Sequence, residues 1–357
     1  MSLNKDNQLS VKDKVNSDPK NIQFLSDITK ESFIIPSLDN AFCVFKAING
    51  KLNIIYSNMK NSIISFDIIN NKKIIEIKDA HKRGITNFRH YLDKINTRDL
   101  ILSISCIDRN IKVWNNKNWE CCGNFTNIYT KGAINSAFFL NNNNENYIVV
   151  GNNSKEKIKV IDFNEKEIKE INESEINTYF IDIYYDNKLN KNFILSGNPG
   201  FVRAYDYDEN KIYHQYNEII IKNNETEKVD DEDDECNYID DSRFSIVVNC
   251  KEEVIELIDS CSDGNIRIYN FHSGELIKKI EASVGLYGLC LWDNNYLFVG
   301  CKDNSIKLIE LDTGKIVKTL KGHNNCVITI KKIIDPKYGE YLLSQGLIND
   351  GIKLWKN

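Results

Sequence analysis

Long apolar stretches are missing from this sequence of 357 residues. No stretch approaches the ~18 consecutive apolar residues that a membrane-spanning helix needs, although hydrophobic residues make up 41% of the chain. The first thirty residues are polar and lysine-rich, and they lack the apolar core of a secretion signal. We therefore expect a soluble protein with a packed apolar core. We place it in the cytoplasm, with the nucleus as the alternative compartment.

Sequence patterns that mark catalytic and cofactor sites are also missing. The chain has only 17 glycines, and neither GxGxxG nor GxxxxGK followed by Ser or Thr is present for phosphate binding. HExxH and GxSxG are absent, and the 5 histidines are too scattered for a metal-ligand spacing. The 10 cysteines include no CxxC pair, and the adjacent Cys121 and Cys122 would point to opposite faces of a strand. We expect reduced cysteines, no cofactor, no bound metal and no enzymatic activity.

A unit of about 40–50 residues recurs along the chain, which is the period of several repeat folds. Residues 80–115 and 322–355 are the clearest copies: each starts with a small residue and a histidine and ends with Asp, Ile-Lys and Trp. Residues 262–270 and 303–310 keep the second half of the unit, and weaker copies fill the gaps. The copies close at seven positions: Phe66, Trp114, Ile161, Tyr205, Tyr269, Ile309 and Trp355. The interval from Tyr205 to Tyr269 is longer than the others and contains an insertion.

A Gly-His pair, a strand, a turn with Asp and a strand that ends in Trp-Asp form a pattern that resembles the WD40 repeat family. The resemblance implies an all-β fold, a seven-bladed β-propeller of four-stranded antiparallel blades over residues 21–357, after a disordered segment at residues 1–20. The sequence stops two residues after Trp355. We therefore expect an N-terminal strand at residues 22–25 to complete the last blade and to close the ring. A β-sandwich or several small β domains would not explain the repeated unit.

The same resemblance assigns the motif residues to a hydrogen-bonded network inside a blade. In the family, a histidine, a strand hydroxyl, a turn aspartate and the tryptophan form this network, and a buried indole N–H does need an acceptor. The hydroxyl would come from Ser103 or Ser105 in one blade and from Ser344 in the other. An acid–base pair of His81 and Asp108 is the functional alternative, but duplication of the pair favours a structural role. The predicted structural residues are His81, Asp108, Trp114, His323, Asp350 and Trp355.

The insertion, at about residues 219–243, is strongly acidic. Within it, residues 225–241 carry ten acidic side chains and a single base, Lys228. Their net charge of −9 leaves +4 on the rest of the chain, because the total is −5. A solvated, disordered excursion is one interpretation, and a docking segment for a basic partner is another. A cation site is the third, although the run lacks the glycine-centred spacing of a calcium-binding loop.

The resemblance also implies where partners dock. In such propellers they commonly bind at the narrow end of the ring, formed by the loops before the innermost strands and by the turns between the second and third strands. Tyrosine and arginine are frequent energetic anchors of interfaces, which favours Arg83, Tyr179 and Tyr287. The candidates before innermost strands are Arg83, Tyr179, Tyr287 and Asn325. The candidates in the turns are Ile107, Pro199, Ser262, Lys302 and Leu347.

These features predict a scaffold or adaptor that binds other proteins or peptides within a multiprotein assembly. The alternative is a substrate-recognition subunit, either a ubiquitin-ligase receptor or a reader of modified peptides. Phosphoinositide-binding propellers share a paired-arginine motif, and the nearest basic cluster here, at residues 82–84, has the wrong flanks. A net charge of −5 without a basic stripe argues against nucleic-acid binding. An enzyme would need a catalytic cluster in the central channel.

Overall fold

The computed structural model describes most of the repeat region. The described residues are 18–29, 42–58, 61–67, 72–93, 96–164, 166–171, 177–217, 243–335, 339–347 and 350–356. Residues 1–17, most of the segment predicted to be disordered, lie outside them. The acidic residues 225–241 also lie outside them.

The described residues form seven antiparallel sheets of four strands each. A 3-10 turn at Pro19–Asn21 precedes β1 (Gln23–Thr29). Blade 1 contains β2 (Phe42–Lys46), β3 (Leu52–Ser57), β4 (Ile63–Asp67) and β5 (Lys72–Ile77). Blade 2 contains β6 (Asn87–Asp93), β7 (Arg98–Ser105), β8 (Asn110–Asn115) and β9 (Cys121–Phe125). Blade 3 contains β10 (Ile134–Asn142), β11 (Glu145–Asn152), β12 (Lys159–Asp162) and β13 (Glu167–Glu170).

The remaining four blades continue the same order. Blade 4 contains β14 (Phe180–Asp186), β15 (Lys191–Asn198), β16 (Phe201–Asp206) and β17 (Lys211–Tyr216). Blade 5 contains β18 (Arg243–Cys250), β19 (Ile255–Cys261), β20 (Asn265–Asn270) and β21 (Leu276–Glu281). Blade 6 contains β22 (Leu286–Leu291), β23 (Tyr296–Cys301), β24 (Ile306–Glu310) and β25 (Lys315–Leu320). Blade 7 contains β26 (Val327–Asp335), β27 (Gly339–Gly346), β28 (Ile352–Lys356) and, as its fourth strand, β1.

The first strands of successive blades contact one another, so they surround the centre of the ring. The prediction of an all-β, seven-bladed propeller of four-stranded blades is confirmed. Each sheet is covered on both faces by its neighbours, so the second strands are the most deeply buried: every residue of β19 is buried. The outer strands face solvent, and no residue of β13 is buried. Blade 1 packs on blade 7 through a cluster that includes Phe42, Ile54, Ile333 and Leu343.

The closing residues of the repeat occupy the same place in each blade. In all seven blades the ladder between the third and fourth strands is irregular beside the closing residue, as at Trp114, Tyr269 and Trp355. The same irregularity accompanies Phe66, Ile161, Tyr205 and Ile309. A bulge strengthens the local twist of a strand, and here it recurs once per blade. The repeat in the sequence thus corresponds to a recurring structural position.

The fourth strand of blade 7 comes from the other end of the chain. β1 pairs antiparallel with β28, and it extends further than the strand predicted at residues 22–25. Ile22, just before β1, is fully buried in a cluster with Phe298 and Trp355, between blades 6 and 7. Among the described residues, no helix is long and apolar enough to cross a membrane.

Candidate functional site

The four-residue network is complete in blade 7. The indole N–H of Trp355 donates to Ser344 Oγ at 2.7 Å, and this oxygen lies 2.6 Å from His323 Nε2. His323 Nδ1 lies 2.8 Å from Asp350 Oδ2. Because an ionised carboxylate only accepts, Nδ1 carries the ring proton and Nε2 accepts from the serine hydroxyl. The side chains of His323 and Asp350 are only 1% exposed, so the network is part of the frame of the blade.

Blade 2 contains only part of this network, which departs from the expectation. Trp114 Nε1 donates to Ser103 Oγ at 2.8 Å, and Ser103 Oγ lies 2.8 Å from His81 Nε2. The carboxylate of Asp108 instead accepts from the backbone N–H of Arg83 at 2.8 Å. Among the described residues, His81 Nδ1 has no hydrogen-bond partner. The turn in blade 2 therefore directs its carboxylate to the loop backbone and not to the histidine.

The geometry gives no support to an acid–base pair at His81 and Asp108. Burial, reinforced by the ammonium group of Lys112, lowers the pKa of His81 to about 4, and the residue is only 3% exposed. Its imidazole is therefore neutral and inaccessible near neutral pH. Within the part of the chain that the structure describes, no group of three or more His, Cys, Asp or Glu side chains is arranged to hold a metal ion.

The four predicted partner-binding residues lie at one end of the propeller, in different blades. Arg83, in blade 2, is exposed, whereas Tyr179 in blade 4, Tyr287 in blade 6 and Asn325 in blade 7 are partly buried. The backbone N–H of Asn325 donates to Asp350 at 3.0 Å, which fixes the loop to the turn of its own blade. The turns that contain Ile107, Pro199, Ser262, Lys302 and Leu347 lie at the same end. The structure therefore does not bring all four predicted residues into one site.

Tyr179 and Tyr287 belong to a continuous row of apolar side chains that crosses blades 4 to 7. Phe244 joins them: its ring centroid lies 6.4 Å from that of Tyr179 and 5.1 Å from that of Tyr287. Tyr287 also packs against Ile328 of blade 7, and so does Leu347. Phe244 and Ile328 are buried, whereas Tyr179, Tyr287 and Leu347 keep part of their surface exposed. We call these five residues the aromatic row.

Irregular pairing of the inner strands places three of these side chains. The register between the first and second strands shifts at Phe244, at Tyr287 and at Ile328, near the start of the inner strand in blades 5, 6 and 7. A bulged residue leaves the ladder, so its side chain is aimed differently from those of its neighbours. The same displacement in three successive blades brings three apolar side chains next to one another at one end of the inner strands.

Close packing between blades holds this arrangement in place. Ser260 Oγ of blade 5 donates to the carbonyl of Tyr287 at 2.6 Å. Gly288 lets the inner strand of blade 7 approach, because a Cβ there would lie 2.7 Å from the carbonyl oxygen of Ile328 and 3.1 Å from Thr329 Cα. A surface fixed in this way loses little conformational entropy when a partner binds.

A groove of about 420 Å³ lies between blades 5 and 6, beside the loop that leads to Tyr287. Its lining consists of Glu281, Ala282, Ser283, Val284, Asp303 and Lys307. Val284 is 75% exposed. Burial opposes ionisation of Asp303, but hydrogen bonds from Ser305 and the charge of Lys307 together keep the pKa of Asp303 below its usual range. The groove therefore offers an exposed aliphatic side chain next to an ionised carboxylate.

The described ends of the acidic insertion lie at the same end of the propeller as the aromatic row. Tyr216 ends β17, the outer strand of blade 4, and its buried hydroxyl donates to the carbonyl of Phe271 at 2.6 Å. The chain is described again from Arg243, the first residue of β18, directly before Phe244. The insertion is thus attached to the ring beside the centre of the row.

Two of the five residues in the row were not among the predicted candidates. Phe244 follows an acidic segment in the sequence, and Ile328 lies inside an apolar strand, so neither has a local pattern that indicates a surface role. Only its position in the repeat could have indicated Phe244, because Phe244, like Tyr287, is the second residue of an inner strand.

Local sequence similarity links the chain to known repeat proteins. WD repeat-containing protein 62 of Mus musculus is 32% identical over 84 residues, which are 22% of this chain and 6% of that protein. WD repeat domain-containing protein 83 homolog of Dictyostelium discoideum is 33% identical over 76 residues, which are 21% of this chain and 23% of that protein. The chain thus spans less than a quarter of the length of either relative. No protein-family model matches the chain. The similarities and the seven-bladed fold are consistent with the WD40 repeat family.

Proposed function

We propose that this propeller is a non-catalytic adaptor for protein–protein interactions and that partners dock on the aromatic row. The observation that supports this proposal is the series of side-chain contacts from Tyr179 through Phe244 to Tyr287, which continues to blade 7. Aromatic side chains bury a large apolar area at a low cost in side-chain entropy, and their polar ends tolerate water before the partner arrives. These properties make aromatic clusters frequent anchors of binding energy.

The outer rim offers a weaker docking surface. Exposed isoleucines lie on the outer strands of five different blades, and one of them, Ile277, follows the exposed Leu276 in its strand: Ile74, Ile168, Ile212, Ile277 and Ile316. Single exposed apolar side chains are normal on soluble proteins. The aromatic row differs from them because its side chains contact one another across several blades.

Asn325 and Arg83 are proposed as peripheral contacts that lie at different distances from the aromatic row. Asn325 lies close to one end of the row, since the backbone N–H of Leu347 donates to the carbonyl of the neighbouring Cys326 at 2.8 Å. Arg83 lies in blade 2, separated from Tyr179 by blade 3. A partner must therefore extend over several blades to reach both Arg83 and the row.

Quantitative affinity purification from the cells of origin tests the proposal. We would compare the tagged wild-type protein with a Tyr179→Ala/Tyr287→Ala variant and with a control, Ile74→Ala/Ile212→Ala, that removes exposed apolar side chains from the rim. We expect the same partners with the wild-type and control proteins and a depletion of about tenfold or more with the tyrosine variant. Circular dichroism of each variant checks that the propeller is folded. Equal recovery of partners from all three proteins would refute docking on the row.

A further inference from the structure

Basic side chains are concentrated in blades 2 and 3, at the end of the propeller that contains the aromatic row. Four loops lie there, at residues 78–86, 106–110, 126–133 and 153–158, and the structure describes every residue in them. They carry seven basic and three acidic side chains. The net charge of these loops is therefore +4, whereas that of the whole chain is −5.

Hydrogen bonds join the four loops into one surface. The backbone N–H of Arg83 donates to Asp108 Oδ2 at 2.8 Å, which links the first loop to the turn of blade 2. The guanidinium of Arg109, in the same turn, donates to the carbonyl oxygen of Thr130 at 2.8 Å. Thr130 Oγ1 donates to Glu156 Oε1 at 3.3 Å, in the turn of blade 3. The loops are thus held in contact from blade 2 to blade 3.

Two of the three acidic side chains stabilise this surface without neutralising it. Asp108 accepts from the backbone of Arg83, and Glu156 accepts from the backbone N–H of Lys131 at 3.0 Å. Both carboxylates are therefore directed to the loop backbone and not to a cationic side chain. Four exposed cations have no ion pair and no side-chain hydrogen bond within the part of the chain that the structure describes: Lys82, Arg83, Lys131 and Lys155. We call these four residues the basic patch.

The basic patch adjoins one end of the aromatic row. Asn152, in the second strand of blade 3, donates from its side-chain amide to the carbonyl oxygen of Lys131 at 3.4 Å. The carbonyl oxygen of Asn152 accepts from the backbone N–H of Thr178 at 2.9 Å, and Thr178 directly precedes Tyr179. A cationic surface on blades 2 and 3 therefore continues into an apolar surface on blades 4 to 7.

We infer that the basic patch binds a polypeptide segment rich in aspartate and glutamate. Its four cations come from three different loops, and such separated charges suit a run of single carboxylates better than one compact anion. The exposed Ile107, in the turn of blade 2, adds an apolar contact for a polypeptide side chain. The aromatic rings of these loops, His81 and Tyr129, are buried, so the loops offer no exposed ring on which a nucleic-acid base could stack.

The inference goes beyond the proposed function, because the basic patch is a second surface that binds its ligand without the aromatic row. A partner that uses both surfaces would place an acidic segment on blades 2 and 3 and apolar side chains on Tyr179 and Tyr287. Charges at the rim of an interface raise the association rate and lose influence as salt screens them. Binding to the basic patch should therefore weaken steeply with ionic strength.

Fluorescence anisotropy with the full chain tests the inference. The probes are a labelled peptide rich in aspartate and glutamate, the same peptide with asparagine and glutamine in their place, and an oligothymidine of equal net charge. The patch variant is Lys82→Gln/Arg83→Gln/Lys131→Gln, which keeps the backbone donors of Arg83 and Lys131. Its charge-matched control changes exposed lysines at the opposite end of the propeller: Lys72→Gln/Lys117→Gln/Lys188→Gln. The melting temperature of each variant shows whether it is folded.

We expect the patch variant to bind the acidic peptide about tenfold more weakly than the wild-type protein at low salt, since each exposed ion pair contributes about 0.2–1 kcal/mol. The control and a Tyr179→Ala/Tyr287→Ala variant should keep the wild-type affinity. The uncharged peptide and the oligothymidine should bind more weakly than the acidic peptide. Equal affinities of the patch variant and its control, or tighter binding of the oligothymidine, would overturn the inference while leaving docking on the aromatic row untouched.

Discussion

A buried indole N–H and a buried imidazole each need hydrogen-bond partners, and blades 2 and 7 meet this requirement to different degrees. In blade 7 both ring nitrogens of His323 have partners, Ser344 and Asp350. In blade 2 the ring of His81 has only Ser103, and its Nδ1 is buried without a partner among the described residues. Such an unsatisfied group costs about 1–3 kcal/mol. The hydrogen-bonded network of blade 2 should therefore be less stable than that of blade 7.

The same burial makes blade 2 sensitive to acid. Because the folded protein lowers the pKa of His81 to about 4 from a value of ~6.5 in the unfolded chain, the unfolded state takes up the proton first. The contribution of neutral His81 to stability is thus complete above about pH 6.5 and is lost as the pH falls towards 4. We expect the wild-type protein to lose about 2 kcal/mol from this group between pH 7.5 and pH 5.

Urea unfolding at both pH values, at constant ionic strength, checks this expectation against a His81→Gln variant, which cannot take up the proton. The difference in unfolding free energy between wild-type and variant should shrink by about 2 kcal/mol at the lower pH. A difference that stays constant with pH would show that His81 does not titrate in this way.

At the scale of elements, the regular and irregular parts of the blades differ in how far the sequence predicts them. The third strands carry their signal locally, since each contains a closing residue such as Trp114 or Trp355, which Ile-Lys precedes in four of the blades. All seven lie where the repeat indicates. The bulges at Phe244, Tyr287 and Ile328 depend on how two strands pair, so no local pattern specifies them. For the same reason the sequence indicated Tyr179 and Tyr287 separately but not the row that joins them. The missing contact from Asp108 to His81 likewise depends on turn geometry.

At Gly288 the backbones of blades 6 and 7 approach so closely that a side chain would disturb the irregular strand pairing. In a Gly288→Ala variant the new methyl group meets the backbone of Ile328 and Thr329, so the inner strand of blade 7 must move. We expect a loss of about 1–3 kcal/mol from overpacking and weaker partner binding, because the shift displaces Ile328 from Tyr287. Unfolding free energies and partner recovery would both be measured.

Gly200→Ala is the matched control for that substitution. Gly200 has a φ of +78° but has open space around its Cβ position, so alanine there adds only the strain of a left-handed backbone, about 1 kcal/mol. It should reduce stability without reducing partner binding. If Gly288→Ala keeps full partner binding, the close approach of blades 6 and 7 is not what positions the row.

At the scale of the whole molecule, the ring joins two distant parts of the chain in one blade. Each of the other six blades obtains its four strands from consecutive sequence, but blade 7 takes β1 from the N-terminal region. Inter-blade packing then links blade 7 to blade 6 through Ile22 and to blade 1 through Phe42 and Leu343. Because a propeller leaves only short protected edges when every blade is complete, the stability of the molecule should depend strongly on this one strand.

Truncation of the N-terminal region tests that dependence. A chain without residues 1–29 lacks Ile22 and β1, which leaves a gap beside Trp355 and turns β28 into an edge strand with unpaired backbone groups. We expect a large fall in melting temperature together with concentration-dependent association, since open edges pair with other chains. A chain without residues 1–17 keeps both features and is the matched control.

The Ile22→Ala variant separates the loss of packing from the loss of strand pairing. It should lower the free energy of unfolding by about 2–4 kcal/mol because of the cavity, while the protein stays monomeric in light scattering. If the longer truncation melts like the control and remains monomeric, β1 does not carry the closure of the ring.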